Sequence, residues 1–136
     1  MPKLDDASWH WGSDEFPEDL PEQAGATHIG MFVAWAILNG MWSEEPDWTA
    51  DLEKVRARQM TGSAFLMKVS DGAFVSDDMT PDSAAFAEAY YPKAYMADYQ
   101  KVLVGKLKSD YLVEDSWANY DLIAAVIDTR WSQTRS

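Results

Sequence analysis

Twelve consecutive residues, His28-Ile-Gly-Met-Phe-Val-Ala-Trp-Ala-Ile-Leu-Asn39, carry apolar side chains toward every direction a helix can face. A helix that is hydrophobic all round has no side to give to solvent, so it belongs at the centre of a domain with the rest of the chain wrapped about it. Asn39-Gly40 ends it with a C-terminal stop signal. The apolar stretch is far shorter than the roughly 20 residues that a membrane span needs.

The remaining segments read as the wrapping. Thr49 is placed to cap a helix running through about Met60, with Asp51 and Glu53 in its first turn and Arg56 and Arg58 near its end. Phe65, Leu66, Met67 and Val69 suggest a short helix, Ser70-Asp71-Gly72 a turn, and Ala73-Phe74-Val75 a brief strand. Thr80-Pro81-Asp82 starts a helix that should end at Tyr90 or Tyr91, because Pro92 disfavours helical geometry in the residue before it. The next helix carries Tyr91, Tyr95, Tyr99 and Leu103 as one stripe and stops near Gly105. Trp117, Tyr120, Ala124, Ile127 and Trp131 mark the inner face of a last helix of about four turns.

Residues 1–26 behave differently. They hold three of the six prolines, with Gly12 and Gly25, and show no sustained periodicity, yet Trp9, Trp11, Phe16 and Leu20 are too apolar for a free tail. The expected architecture is therefore all-α: one compact domain of five or six helices over residues 27–136, an irregular N-terminal arm over 1–26 packed on it, and at most one small β-hairpin.

Charge is concentrated in the same region. Residues 1–48 contain ten acids against one base, Lys3, and five of the seven tryptophans, within a chain of net charge −12. An acidic balance of this size repels nucleic acid and anionic lipid, whose binding depends on Lys and Arg. A partner selected by long-range charge is basic. Asp14, Glu15, Glu18, Asp19 and Glu22 are the candidate steering acids, and Trp11 the candidate aromatic anchor. The N-terminus has no apolar signal region, so the expected location is the cytoplasm.

Reaction chemistry finds little footing. The chain has no cysteine and none of the metalloprotease, nucleophile-elbow, phosphate-loop or dinucleotide motifs. His10 and His28 are its only histidines. With Asp5, Asp6 and Asp115 they have the chemistry of zinc or iron ligands, but their spacing gives no support for a site. No metal, cofactor or catalytic residue is assigned. The paired carboxylates, Glu44-Glu45 and Asp77-Asp78 among them, read as caps or solvated charge.

Several blocks form a recognisable pattern: Asp5-Asp-Ala-Ser-Trp-His10, Phe16-Pro, Asp19-Leu-Pro21, Ala24-Gly-Ala-Thr-His-Ile-Gly-Met-Phe32, Ala34-Trp35, Asp71-Gly72, Phe86-Ala-Glu-Ala-Tyr-Tyr91, Tyr111-Leu-Val-Glu-Asp-Ser-Trp117, Asn119-Tyr-Asp121 and Ile127-Asp128. Together they resemble a family of small bacterial domains of unknown function, across nearly the whole chain. The resemblance implies a compact, mostly helical bacterial protein and carries over no catalytic residue.

Two of these blocks join acids to aromatic residues. Either they cap helices and pack, with the arm docked beside the last helix, or Asp5, Asp6, Trp9, His10, His28, Asp115, Trp117 and Asp121 converge on an acidic, aromatic-walled pocket. The first account is favoured. The expected function is that of an acidic binding protein, most concretely an immunity protein masking a basic toxin domain. The alternative is a metal-dependent enzyme or small-ligand binder using the acidic, histidine-containing arm.

Overall fold

The fold comes from a computed structural model that describes residues 3–11, 20, 22–105, 107 and 110–135, the side chains of Trp11, Glu22, Gln23, Asp110 and Arg135 excepted. Asp14, Glu15, Glu18 and Asp19 lie outside the described residues. So do the side chains of Trp11 and Glu22.

The described structure is mostly helical, as the periodicity implies. The apolar run forms α2 (Thr27–Leu38), and each residue from Thr27 to Ile37 is buried. Its end is closed by Gly40 at φ +72, whose N–H donates to the Ile37 carbonyl at 3.2 Å, and by Met41, whose N–H donates to Ala36 at 2.8 Å. Around this axis lie α3 (Thr49–Arg56), α4 (Gly62–Ser70), α5 (Pro81–Tyr90), α6 (Met96–Tyr99) and α7 (Trp117–Arg135). The arm contributes β1 (Lys3–Asp6) and the short α1 (Ala7–Trp11), and Ala73–Val75 forms β2.

Three sequence expectations are modified. Residues 3–11 are regular, because β1 pairs antiparallel with β2 in the register Asp5 to Phe74 and Asp6 to Ala73. The small sheet is thus a long-range pairing between the arm and the α4 exit, and no hairpin joins its two strands. Thr49 does not cap α3. A 3-10 turn, Pro46–Trp48, leads into that helix, the Thr49 hydroxyl donates to the Glu45 carbonyl, and the helix ends at Arg56, before Arg58 at φ +60.

The third change concerns Pro92. Instead of a break, α5 runs on through a π turn, Tyr91–Tyr95, into α6 and a second π turn, Gln100–Val104. Proline lacks an N–H and crowds the carbonyl four residues back, and a widened turn accommodates both effects. The helical path continues, so Tyr91, Tyr95 and Tyr99 all reach the interior.

Aromatic packing fills the centre. The Phe32 ring meets Trp35, Phe74, Phe86, Tyr90, Tyr91 and Tyr95 at centroid distances of 5.2 to 6.3 Å. Burying each such ring stabilises the fold by about 1.5–3 kcal/mol. Helix α7 buries Tyr120, Ile123 and Ile127 and sets Trp131 against Trp35 and Phe86 of this cluster, while Trp35 Nε1 donates to Asp128 at 2.7 Å. Among the described residues, no helix is long and apolar enough to cross a membrane.

Candidate functional site: a carboxylate shared by two imidazoles

The site begins with the way β1 meets β2. An extra residue between Lys3 and Asp5 breaks the regular register, and bulges of this kind re-aim side chains. Asp5 and Asp6 are consecutive, yet both are buried.

They have separate tasks. Asp6 precedes α1 and acts as its cap: its Oδ1 accepts from the Ser8 N–H at 2.9 Å and the Ser8 hydroxyl at 2.8 Å, while Oδ2 pairs with Lys3 at 2.8 Å. Asp5 points into the domain and is fully engaged. Its Oδ1 accepts the Asp6 N–H at 2.8 Å and faces His10 Nε2 at 2.7 Å. Its Oδ2 accepts the Tyr91 hydroxyl at 2.7 Å and faces His28 Nε2 at 3.1 Å.

Each histidine is held by a different element. His10 lies on α1, with its second nitrogen, Nδ1, 2.7 Å from the Tyr111 hydroxyl. His28 is the second residue of α2, and its carbonyl accepts the Tyr95 hydroxyl at 2.6 Å. The two imidazoles meet edge to face at 4.4 Å. His28 is 2% exposed at the side chain, Asp5 9% and His10 20%, so His10 forms the outer edge of the cluster.

Burial by itself would raise the Asp5 pKa, but the hydrogen bonds from His10 and His28, the charge of His28 and the Tyr91 hydroxyl outweigh it and hold the carboxyl far below its usual range. Asp5 is therefore an anion at neutral pH. Burial, reinforced by the negative charge of Asp5, pushes the Tyr91 phenol well above its ordinary value, so it stays a proton donor.

The other residues suggested by the sequence fall elsewhere. Trp9 is 54% exposed, with Lys3 Nζ 5.8 Å from its ring centroid. Trp117 packs on Tyr120 and under the Arg58 guanidinium, which pairs with Asp121 at 2.7 and 3.1 Å on the surface. Asp115 accepts the Ser63 hydroxyl at the start of α4, and burial raises its pKa despite that bond and another from Thr61. Asp5, His10 and His28 thus form one cluster, Asp6 abuts it as a cap, and Trp117 and Asp121 form a separate surface group with Arg58. Asp115 lies on the wall of a groove of about 350 Å³, which it shares with Leu20, Ala24, Thr27, Tyr111, Leu112, Val113 and Glu114. Through Thr27 and Tyr111 this groove adjoins the histidine cluster.

Tyr91 and Tyr111 were not among the sequence candidates. Tyr91 reads as one ring of a core stripe, which it also is. Tyr111 begins the segment Tyr111-Leu-Val-Glu-Asp-Ser-Trp117, but only its hydroxyl's distance to His10 reveals its role.

The family model of a domain of unknown function, DUF7832, matches residues 3–113. The chain belongs to that family. No curated protein and no solved structure matches it. Within the DUF7832 span lie Asp5, Asp6, Trp9, His10, His28, Tyr91 and Tyr111, whereas Asp115, Trp117 and Asp121 follow it.

Proposed function

We propose that this DUF7832 protein is an acidic binding protein for a cationic protein partner, most concretely an immunity-type protein that covers the phosphate-binding surface of a basic toxin. The observation that carries this reading is a convergence of like charge. The loop that contains Glu44, Glu45 and Asp47 is tied to the Ser76–Asp78 turn by the Ser43 N–H donating to the Asp78 carbonyl at 2.8 Å. Burial, then the neighbouring charges of Asp77 and Glu45, raises the Asp78 pKa. Glu45 and Asp77 are exposed, and the half-buried Trp48 rests on Trp42 and Phe65 in the same region.

Such repulsion works against the fold, and a cationic surface docked there would relieve it. It would also exploit the field of the ten acids in residues 1–48, Asp14, Glu15, Glu18, Asp19 and Glu22 included. Complementary charge acts mainly on the rate of encounter, while a buried ring such as Trp48 acts on the rate of escape.

The test is surface plasmon resonance against a partner recovered from the native organism at low salt. The triple variant Glu45→Lys, Asp77→Lys, Asp78→Lys should slow association at least tenfold and flatten its salt dependence, leaving dissociation nearly unchanged. An unchanged association rate, or a partner with no basic surface, would end this reading.

A further inference from the structure

We propose that Asp5, His10 and His28 bind one divalent first-row transition-metal ion, with zinc the ion of reference. The inference does not rest on the cationic partner.

Ligand identity is the first argument. Two imidazoles and one carboxylate suit zinc, iron(II) and cobalt(II), whereas magnesium and calcium favour oxygen-only sets. Geometry is the second. One atom from each of the three residues lies within 4.8 Å of the others, from three separate elements, β1, α1 and α2. Around an ion with bonds of about 2.0–2.2 Å, neighbouring ligands stand about 3–3.5 Å apart. The separations from Asp5, 2.7 Å to His10 and 3.1 Å to His28, must widen slightly, and any ligand pair near the 4.8 Å limit must draw together.

The surrounding shell is the third argument. Ligand residues are ordinarily fixed by outer partners. Here Tyr111 holds the far nitrogen of His10, while Tyr91 and the Asp6 N–H hold the two oxygens of Asp5. A cation at His10 Nε2 would take the place of the proton that Nε2 donates to Asp5, with Nδ1 then donating to the Tyr111 oxygen.

Access is the fourth. His10 is the partly exposed member, and the adjoining groove carries Glu114 and Asp115, which concentrate cations at its wall. Three protein ligands leave at least one coordination position for water or a small anionic ligand.

Both histidines of the chain are in the site, so their ring signals report on it without any substitution. Untagged, full-length protein freed of metal by chelator is titrated with zinc chloride at pH 7.5, observed by imidazole NMR and by calorimetry. One equivalent should bind, shift both sets of ring signals and leave them unmoved on further addition. Millimolar magnesium should do neither. Cobalt(II) should produce visible absorption bands that zinc abolishes. His10→Ala should weaken zinc at least tenfold, and Tyr111→Phe, which keeps all three ligands, by about 10- to 100-fold. If one equivalent of zinc leaves either histidine's signals in place, or if His10→Ala binds as tightly as the parent, the proposal fails. The NMR arm applies to the parent protein and decides the matter even if a variant does not fold.

Discussion

Gly30 and Gly62 meet across the α2–α4 crossing so closely that a β-carbon on Gly62 would stand 1.8 Å from the Gly30 carbonyl oxygen. A β-carbon on Gly30 would lie 2.1 Å from the Ser63 nitrogen. Both obstacles are backbone, so no rotamer change relieves them. The crossing also sets the position of His28, two residues before Gly30. Gly62→Ala should destabilise the protein by about 3 kcal/mol or more, at or beyond the upper end for overpacking. Gly40→Ala meets nothing within 4 Å and strains only a backbone at φ +72, so its cost should be about 1–2 kcal/mol. Urea denaturation of the two variants checks the contrast, and similar losses would contradict it.

The neighbours Asp5 and Asp6 should also differ. Asp5→Ala removes a buried anion and leaves donors on Tyr91, His10 and His28 facing each other without their acceptor, a change expected to cost about 3–5 kcal/mol. Asp6→Ala removes the cap of α1 and a partly exposed pair with Lys3, at about 1 kcal/mol. Chemical denaturation of metal-free protein at pH 7 distinguishes them. Equal losses would mean that the Asp5 junction contributes no more than an ordinary cap.

Deletion of residues 1–11 should lower the melting temperature sharply. It removes β1 from β2, the buried Ala7, and both Asp5 and His10 from the cavity they fill. A truncated chain that melts with the parent would show that the arm contributes nothing to the fold.

Acid should weaken one tie between a buried carboxylate and an exposed guanidinium in a defined window. The Arg130 guanidinium, hydrogen-bonded to both oxygens of Asp98, together with the Tyr90 hydroxyl, holds the Asp98 carboxyl below its ordinary value of 3.8, against the opposing effect of burial. A depressed carboxyl pKa stabilises the fold above the unfolded-state value and loses that contribution as pH falls through the folded-state value. Arg130 is 42% exposed at its side chain, so solvent screening keeps the effect small. The stability gap between parent and Asp98→Asn should be constant above about pH 5 and shrink below about pH 4. A gap that persists undiminished at pH 3 would refute the assignment.

The helical skeleton was legible because its signals are local. An all-round apolar run, a Thr-Pro-Asp start and the spacing of Trp117, Tyr120 and Ile127 each act within a few turns of chain. What was not legible depends on distance. Nothing in Lys3-Leu-Asp-Asp6 names Ala73-Phe-Val75 as its partner, and without that pairing Asp5 is one acid among ten in its region. Of the residues in the pocket suggested by sequence, Asp5, His10 and His28 come into contact, but Asp and Trp recur in both blocks, which does not oblige the blocks to meet. Pro92 reads as a helix boundary by local rules. The π turn that absorbs it begins at Tyr91, whose hydroxyl reaches Asp5 across 86 residues of chain.

The most direct measurement of the central claim is anomalous diffraction at the zinc absorption edge from crystals of the full chain grown with one equivalent of zinc. A single strong peak is expected about 2.0–2.2 Å from His10 Nε2, His28 Nε2 and an Asp5 carboxylate oxygen, with Tyr111 still bonded to His10 Nδ1. Crystals in which zinc appears only at surface carboxylates, with the hydrogen bonds from both imidazoles to Asp5 intact, would contradict it.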